Sequence, residues 1–328
     1  MRDAYFDNLK FVLIVLVVGG HFIEPLVELT PIAVLYNFIY SFHMPLFVFV
    51  TGYFSKRIED DRYTLKILQG LVIPYLIFQS LYALFDYYVL SGEKLAFTYF
   101  YPNWILWFLF SCVLWKVFLP YVVKIRYPIL VCLIVAILAG YSADISYFAG
   151  LSRTLYFFPF FLMGYYFKRE WVNNLMHSSS RVAAMLLLPL SVVVLWKLAD
   201  VLPITWFYGV LPYVDFELTG IYAGLSRLAT YGFTLIVSVC VLALIPSVRI
   251  PLISDFGQNT LYVFILHGFI LKALYSFEFQ YTFASVWDLW WLLPIVFIVT
   301  ILLSSNGIRH LFQWLVEPDT KWLFHKGK

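Results

Sequence analysis

The 328-residue chain is 62% hydrophobic and only 12% charged, with a net charge of +3 and a mean hydropathy of +0.85. A soluble domain carries about a quarter charged residues, so these values exclude a water-soluble enzyme and leave no basic surface for nucleic acid. They describe an all-α, polytopic membrane protein whose solvent is lipid. Cys112, Cys132 and Cys240 stand singly in apolar runs, without metal-ligand or pairing spacing, so neither a disulfide nor a metal is expected.

A bilayer core of about 30 Å needs about 20 apolar residues per helix. On that measure the chain predicts about ten transmembrane helices, at 9–26, 34–54, 65–90, 104–121, 127–143, 155–167, 182–199, 225–245, 260–277 and 286–304. The first run is too long for a cleavable signal peptide and is expected to stay in the mature protein. The sixth is short, and its start is expected nearer Gly150. Beyond 306 the sequence reads as a cytoplasmic interfacial helix and tail, 306–328, in which Arg309 and His310 oppose Leu311, Phe312, Trp314 and Leu315. No linker, repeat or soluble domain interrupts the chain, so residues 1–328 form one integral-membrane domain.

Cations alternate between the connecting segments. All but five of the 22 lysines and arginines fall on one side, which places both termini in the cytoplasm of a multi-pass protein of the cell (inner) membrane. The exceptions are Lys94, Arg153, Lys197, Arg227 and Lys272. The longest outer segment, 200–224, interleaves Trp206, Tyr208, Tyr213, Phe216 and Tyr222 with Asp215 and Glu217. Aromatic faces beside carboxylates suit sugar binding, and an interfacial aromatic belt is the competing reading.

Three histidines, His21, His43 and His267, lie near the middle of apolar runs, where an imidazole is costly unless it faces a protein interior or a wet cavity. Lys10 and His21 are eleven residues apart, almost three turns, so they share a helix face about 16 Å apart at about 1.5 Å per residue. Glu24, at i+3, is placed to accept a hydrogen bond from His21, and Gly19 and Gly20 thin the helix just before it. Interhelical hydrogen bonding explains His43 and His267 equally well, and Asn259 and Tyr262 read as helix-capping or site-lining residues.

The runs YFDNLKFVLIVLVVGGHFIEP and IYSFHMPLFVFVTGYFSKR resemble the amino-terminal signature of the integral-membrane acyltransferase family 3, especially its fucose 4-O-acetylase-like branch. The family's arginine or lysine, ten residues, then histidine is matched by Lys10 and His21. WILWFL around Trp107, TLYFFPFFLMGYYFKR from Thr154 and FGQNTLYVFILHGF from Phe256 follow in the family's order, while the stretch from Trp171 to Ile253 is only weakly similar. Many members carry arginine where this chain has Lys10, which gives up a planar two-donor fork.

The resemblance implies transfer of an acyl group, usually acetyl, from cytoplasmic acyl-CoA to a hydroxyl of an envelope or lipid-linked carbohydrate. Under it, His21 is the candidate base, oriented by Glu24. Lys10, Lys56, Arg57, Arg62 and Lys66 are candidates for the CoA phosphates, although the 56–66 cluster also serves as a topology signal. His43, Arg153, Arg227, Asn259 and His267 are candidates for lining the site or meeting the acceptor. Acyl-CoA is then a co-substrate and no metal is required; the chain could also form a homo-oligomer. Intramembrane histidines with a lone Glu24 suit, as an alternative, a proton-coupled exporter of a sugar or lipid-linked intermediate, against which no inverted repeat is visible.

Overall fold

Asp3 opens the first helix. Its carboxylate accepts from the backbone N–H of Tyr5 at 3.1 Å, answering one of the unpaired donors at a helix start. Helix α1 then runs over Ala4–Ile23 and passes into a 3₁₀ turn, Glu24–Leu26. The computed structural model describes residues 3–92, 94–145 and 147–319, so Arg2 and the expected tail at 320–328, with Lys321, Lys326 and Lys328, lie outside the described residues. Among these, every regular element is helical.

All ten predicted runs are helices. After α1 come α2 (Thr30–Tyr53), α3 (Tyr63–Tyr88, with a π turn at Leu68–Val72), α4 (Trp107–Val122) and α5 (Pro128–Ala139). They are followed by α6 (Leu151–Tyr166), α7 (Ser178–Lys197), α8 (Gly220–Leu244), α9 (Thr260–Ser276) and α10 (Leu289–Ser304). Among the described residues, seven helical segments are long and apolar enough to cross a bilayer. The expected amphipathic element is α11, Asn306–Val316, capped by the Ser305 hydroxyl.

The start of α6 falls near Gly150, as expected, whereas α5 ends early and His21 stands nearer a helix end than expected. Helix α5 has only 12 residues, about 18 Å of rise, because Gly140 ends it and the Tyr213 ring packs where a side chain would stand. Helix α6 starts at Leu151 because Ala149 and Gly150, at φ 53° and 57°, turn the chain through two left-handed residues. His21 lies in the last turn of α1, not near its middle, while His43 and His267 sit well inside α2 and α9.

Helices α1 and α2 form the centre: 56% and 67% of their apolar windows are buried, against 17% for α7 at the periphery. Lipid is as apolar as leucine, so burial alone does not drive these helices together; close backbone approach and polar bonds must do it. At the crossing of α2 and α6, a Cβ on Gly52 would stand 1.9 Å from the Phe161 carbonyl oxygen, and a Cβ on Gly164 would stand 1.9 Å from that of Phe49. Each glycine receives the other helix's backbone.

The start of α1 is tied by polar bonds to the segment after α8. Tyr5 donates to the Leu242 carbonyl at 2.7 Å, and the Asn8 amide donates to those of Pro246 and Val248, both at 2.9 Å. Ser254 donates to Asn8 Oδ1 at 2.6 Å. Most of the YFDNLK motif is thus an anchor.

Gly52→Leu should therefore prevent the crossing, because the obstacle is backbone and cannot rotate away; core overpacking already costs about 1–3 kcal/mol where side chains can give. Detergent-solubilised Gly52→Leu should aggregate or melt well below wild type, whereas Gly232→Ala, with nothing within 4 Å of its Cβ, should melt like wild type. Equal melting of all three would refute the close crossing.

Candidate active site

The end of α1 and the middle of α2 enclose a cavity of about 280 Å³. His21, Glu24, Tyr40, His43, Trp104, Trp107, Arg153 and Tyr208 line it, together with Pro102, Tyr147 and Val210 of the connecting segments. It reaches about one helical turn past His21, to Val17, Met44 and Phe264. Gly20 makes the approach of α2 tolerable, since a Cβ there would lie 3.0 Å from the Tyr40 ring.

The three histidines differ in how their Nδ1 atoms are satisfied. His43 Nδ1 bonds the Ile39 carbonyl at 2.8 Å and His267 Nδ1 bonds that of Val263 at 2.9 Å, each one turn back on its own helix. A carbonyl can only accept, so both buried rings carry a proton on Nδ1. His21 Nδ1 instead faces side chains: Glu24 Oε2 at 3.5 Å and the Tyr40 hydroxyl at 3.4 Å. Its ring stacks on His267 with centroids 5.5 Å apart and meets the Trp104 ring edgewise with centroids 4.8 Å apart. The Tyr275 hydroxyl holds its backbone carbonyl at 2.8 Å.

Arg153 enters the cavity from the first turn of α6. Its guanidinium lies 4.9 Å from the Trp107 ring centre and 6.0 Å from that of Tyr208, and its buried Nε has no hydrogen-bond partner. No carboxylate among the described residues pairs with it. A cation in an aromatic cavity without a counter-ion is a receptor for negative charge.

Other predicted site residues lie elsewhere. Arg227, only 3% exposed, is enclosed by the rings of Trp206, Tyr156 and Tyr213 at 4.4, 4.9 and 5.4 Å and donates to the Trp206 carbonyl; it does not line the cavity. Asn259, directly before α9, does not line the cavity; it donates to the Ser304 carbonyl at 2.8 Å and ties α9 to the α10–α11 junction. Of the aromatic outer segment, Tyr208 reaches the cavity, whereas Asp215, Glu217 and Tyr222 are exposed away from it.

The basic residues gather at the far end of α1. Lys10 pairs with Asp7 at 2.8 Å and lies 5.9 Å over the Phe54 ring, just before the 56–66 segment. Lys56 donates to the Phe167 carbonyl, and burial lowers its pKa. Lys66 pairs with Asp60 at 2.5 Å, a hydrogen bond that holds the Asp60 carboxyl below its ordinary range. Arg57 and Arg62 are exposed. Lys10 does not line the cavity, so the expected alignment of Lys10 and His21 is one of helix face, with the two at opposite ends. Trp104 and Tyr40 were not predicted, because aromatic residues make up 21% of the chain and mark no position by themselves; Tyr208 was expected only as one of the aromatic residues of 200–224 that suit sugar binding.

The two buried arginines should separate in mutagenesis. Arg227→Met removes a cation from three rings and should lower Tm by several degrees, roughly 2 kcal/mol. Arg153→Met breaks no ion pair among the described residues and should melt near wild type while losing activity; a large drop in Tm would make Arg153 structural.

The family model for the acyltransferase domain matches residues 3–305. No curated protein and no solved structure matches the chain. Since the match spans nearly the whole helical bundle, the chain belongs to the acyltransferase 3 family and is a multi-pass membrane acyltransferase.

Proposed function

We propose that this acyltransferase moves an acyl group, acetyl in the simplest case, from acyl-CoA to a hydroxyl of an envelope or lipid-linked carbohydrate, with His21 as general base. The observation that carries the reading is the orientation of His21. It is the histidine whose Nδ1 faces a carboxylate and a hydroxyl, whereas His43, also at the cavity, and His267, buried behind it, are tied to their own helices. With the Nδ1 proton directed to Glu24, Nε2 holds the lone pair.

A sugar hydroxyl is a poor nucleophile and a thioester a good acyl donor, so the requirement is a base near neutral pKa beside both. His21 Nε2 takes the hydroxyl proton as the oxygen attacks the thioester carbon. The tetrahedral intermediate carries its charge on the former carbonyl oxygen, and Arg153 is the cation available to meet it or an anionic group of the acceptor. Collapse breaks the C–S bond, and the CoA sulfur leaves with the proton from the imidazolium. Glu24 stabilises that imidazolium. Trp104, Trp107 and Tyr208 offer ring faces to a sugar.

The cavity is too small for a whole acyl-CoA. We place the CoA phosphates at the basic end, with Lys10 and the 56–66 segment, and read that end, with both termini, as cytoplasmic. The acceptor then approaches from the Glu24 end, across the bundle.

His21→Ala should cut acyl transfer from radiolabelled acetyl-CoA to a carbohydrate acceptor by about 10² to 10⁴ or more while leaving expression and Tm near wild type. An active, folded alanine variant would end His21's role as the base. In sealed vesicles of known orientation, acetyl-CoA should be used only from the face bearing the termini, and Lys10→Gln should raise its KM without a matching loss of kcat. Use from the opposite face would invert the assignment of donor and acceptor sides.

A further inference from the structure

The residue that walls the imidazole of His21 is held in an unfavourable backbone conformation. Trp104 has φ 31°, a region that large side chains rarely occupy unless the surroundings impose it. Its ring centre lies 4.8 Å from that of His21, at a steep interplanar angle of 61°, and it lines the cavity. Directly before it in the chain lies a polar cluster, joining α3, α9 and the 98–103 segment, that the reaction outlined above does not use. Lys272 of α9 donates to both carboxylate oxygens of Asp86 on α3, at 2.7 and 2.8 Å, and to Asn103 Oδ1 at 3.1 Å. The Asn103 side-chain amide donates to Asp86 Oδ2 at 2.8 Å, and its backbone N–H donates to Gln79 Oε1 at 2.9 Å. Gln79, only 3% exposed, donates to the carbonyls of Thr98 and Tyr101, both at 3.0 Å.

An ion pair joining two helices is by itself a staple. Here its third member is Asn103, whose side chain and backbone N–H are both bound, and the next peptide turns directly into Trp104. The geometry points to Lys272, Asp86 and Asn103 as a positioning clamp that drives Trp104 onto His21 and fixes the imidazole against Trp104 and His267 for proton transfer. The two charges neutralise each other, so the clamp acts through geometry. Loss of either partner leaves the other uncompensated, frees the 98–103 segment and lets Trp104 relax away from the ring. The inference rests on His21 as the base, but its structural half, Trp104 held against His21, can be read without any acyl transfer.

The experiment is a double-mutant cycle between Asp86→Asn and Trp104→Ala in the full-length protein, read by acyl-transfer kinetics and by peptide-resolved diethylpyrocarbonate modification of His21. Asp86→Asn alone should lower kcat about 10-fold or more with acetyl-CoA KM little changed, and should speed His21 modification several-fold, since a loosened wall exposes the ring. In the Trp104→Ala background, Asp86→Asn should add almost nothing to either readout, because the clamp has lost the residue it acts through. Lys272→Met should repeat the Asp86→Asn phenotype. Equal losses in both backgrounds would overturn the proposal, as would variants that melt early but retain wild-type kcat per folded molecule and wild-type His21 modification. If His21→Ala proves active while Asp86→Asn still speeds His21 modification, the base assignment fails and the clamp stands.

Discussion

A polar group inside a hydrocarbon layer must find its hydrogen-bond partner within the protein, and the arrangement of this bundle follows from how each one does so. His43 and His267 solve the problem locally, by bonding a carbonyl one turn back on their own helices. Tyr5 and Asn8 solve it by reaching the chain end of α8 and the segment beyond, Asn259 by reaching Ser304, and Arg227 by aromatic enclosure. Each solution that leaves the helix also fixes a tertiary contact. His21 and Arg153 differ in lining the cavity while incompletely satisfied: one has only long contacts to side chains at the cavity wall, the other has an unpartnered nitrogen. Other buried groups, among them Nε2 of His267 and the Tyr262 hydroxyl, also lack a partner, so it is the coincidence of an unsatisfied group with a cavity that marks where a substrate can supply one.

The helices were legible because a bilayer demands long apolar runs, and each of the ten predicted runs contains a helix, although among the described residues only seven segments are long and apolar enough to cross. Helix ends were less legible, because they depend on contacts remote in sequence: α5 stops where Tyr213 covers Gly140. The same division applies to the site. Lys10, His21 and Glu24 lie on one helix and its continuation, so their relation follows from periodicity. Arg153, Arg227 and Lys272 gave one signal, a cation on the side that avoids cations, and the structure sends them to three different surroundings: an open cavity, a cage of three rings, and an ion pair with Asp86. Charge asymmetry reports a cation's side and nothing about its partner. Trp104 had a faint local sign, the Pro102–Asn103 turn before it, but the clamp on Asn103 comes from helices distant in the sequence.

The family-like motifs also divide once the fold is known. In YFDNLK the tyrosine and asparagine anchor the first helix, and only the distant histidine reaches the cavity. Similarity over such a motif therefore speaks first to how the bundle is assembled, and to chemistry through a small number of its positions.

The paired glycines at the crossing of α2 and α6 have a further consequence for how this chain can change over time. Gly52 faces the backbone beside Phe161 and Gly164 faces the backbone beside Phe49, so neither is accommodated by the other's side chain and no compensating substitution at one can admit a larger residue at the other. Any drift away from glycine requires the two helices to separate along their whole contact, which would carry His43 and Tyr40 away from His21. The cavity and this close backbone crossing thus share α2 and constrain each other, whereas the connecting segments and the peripheral helices are freer to vary.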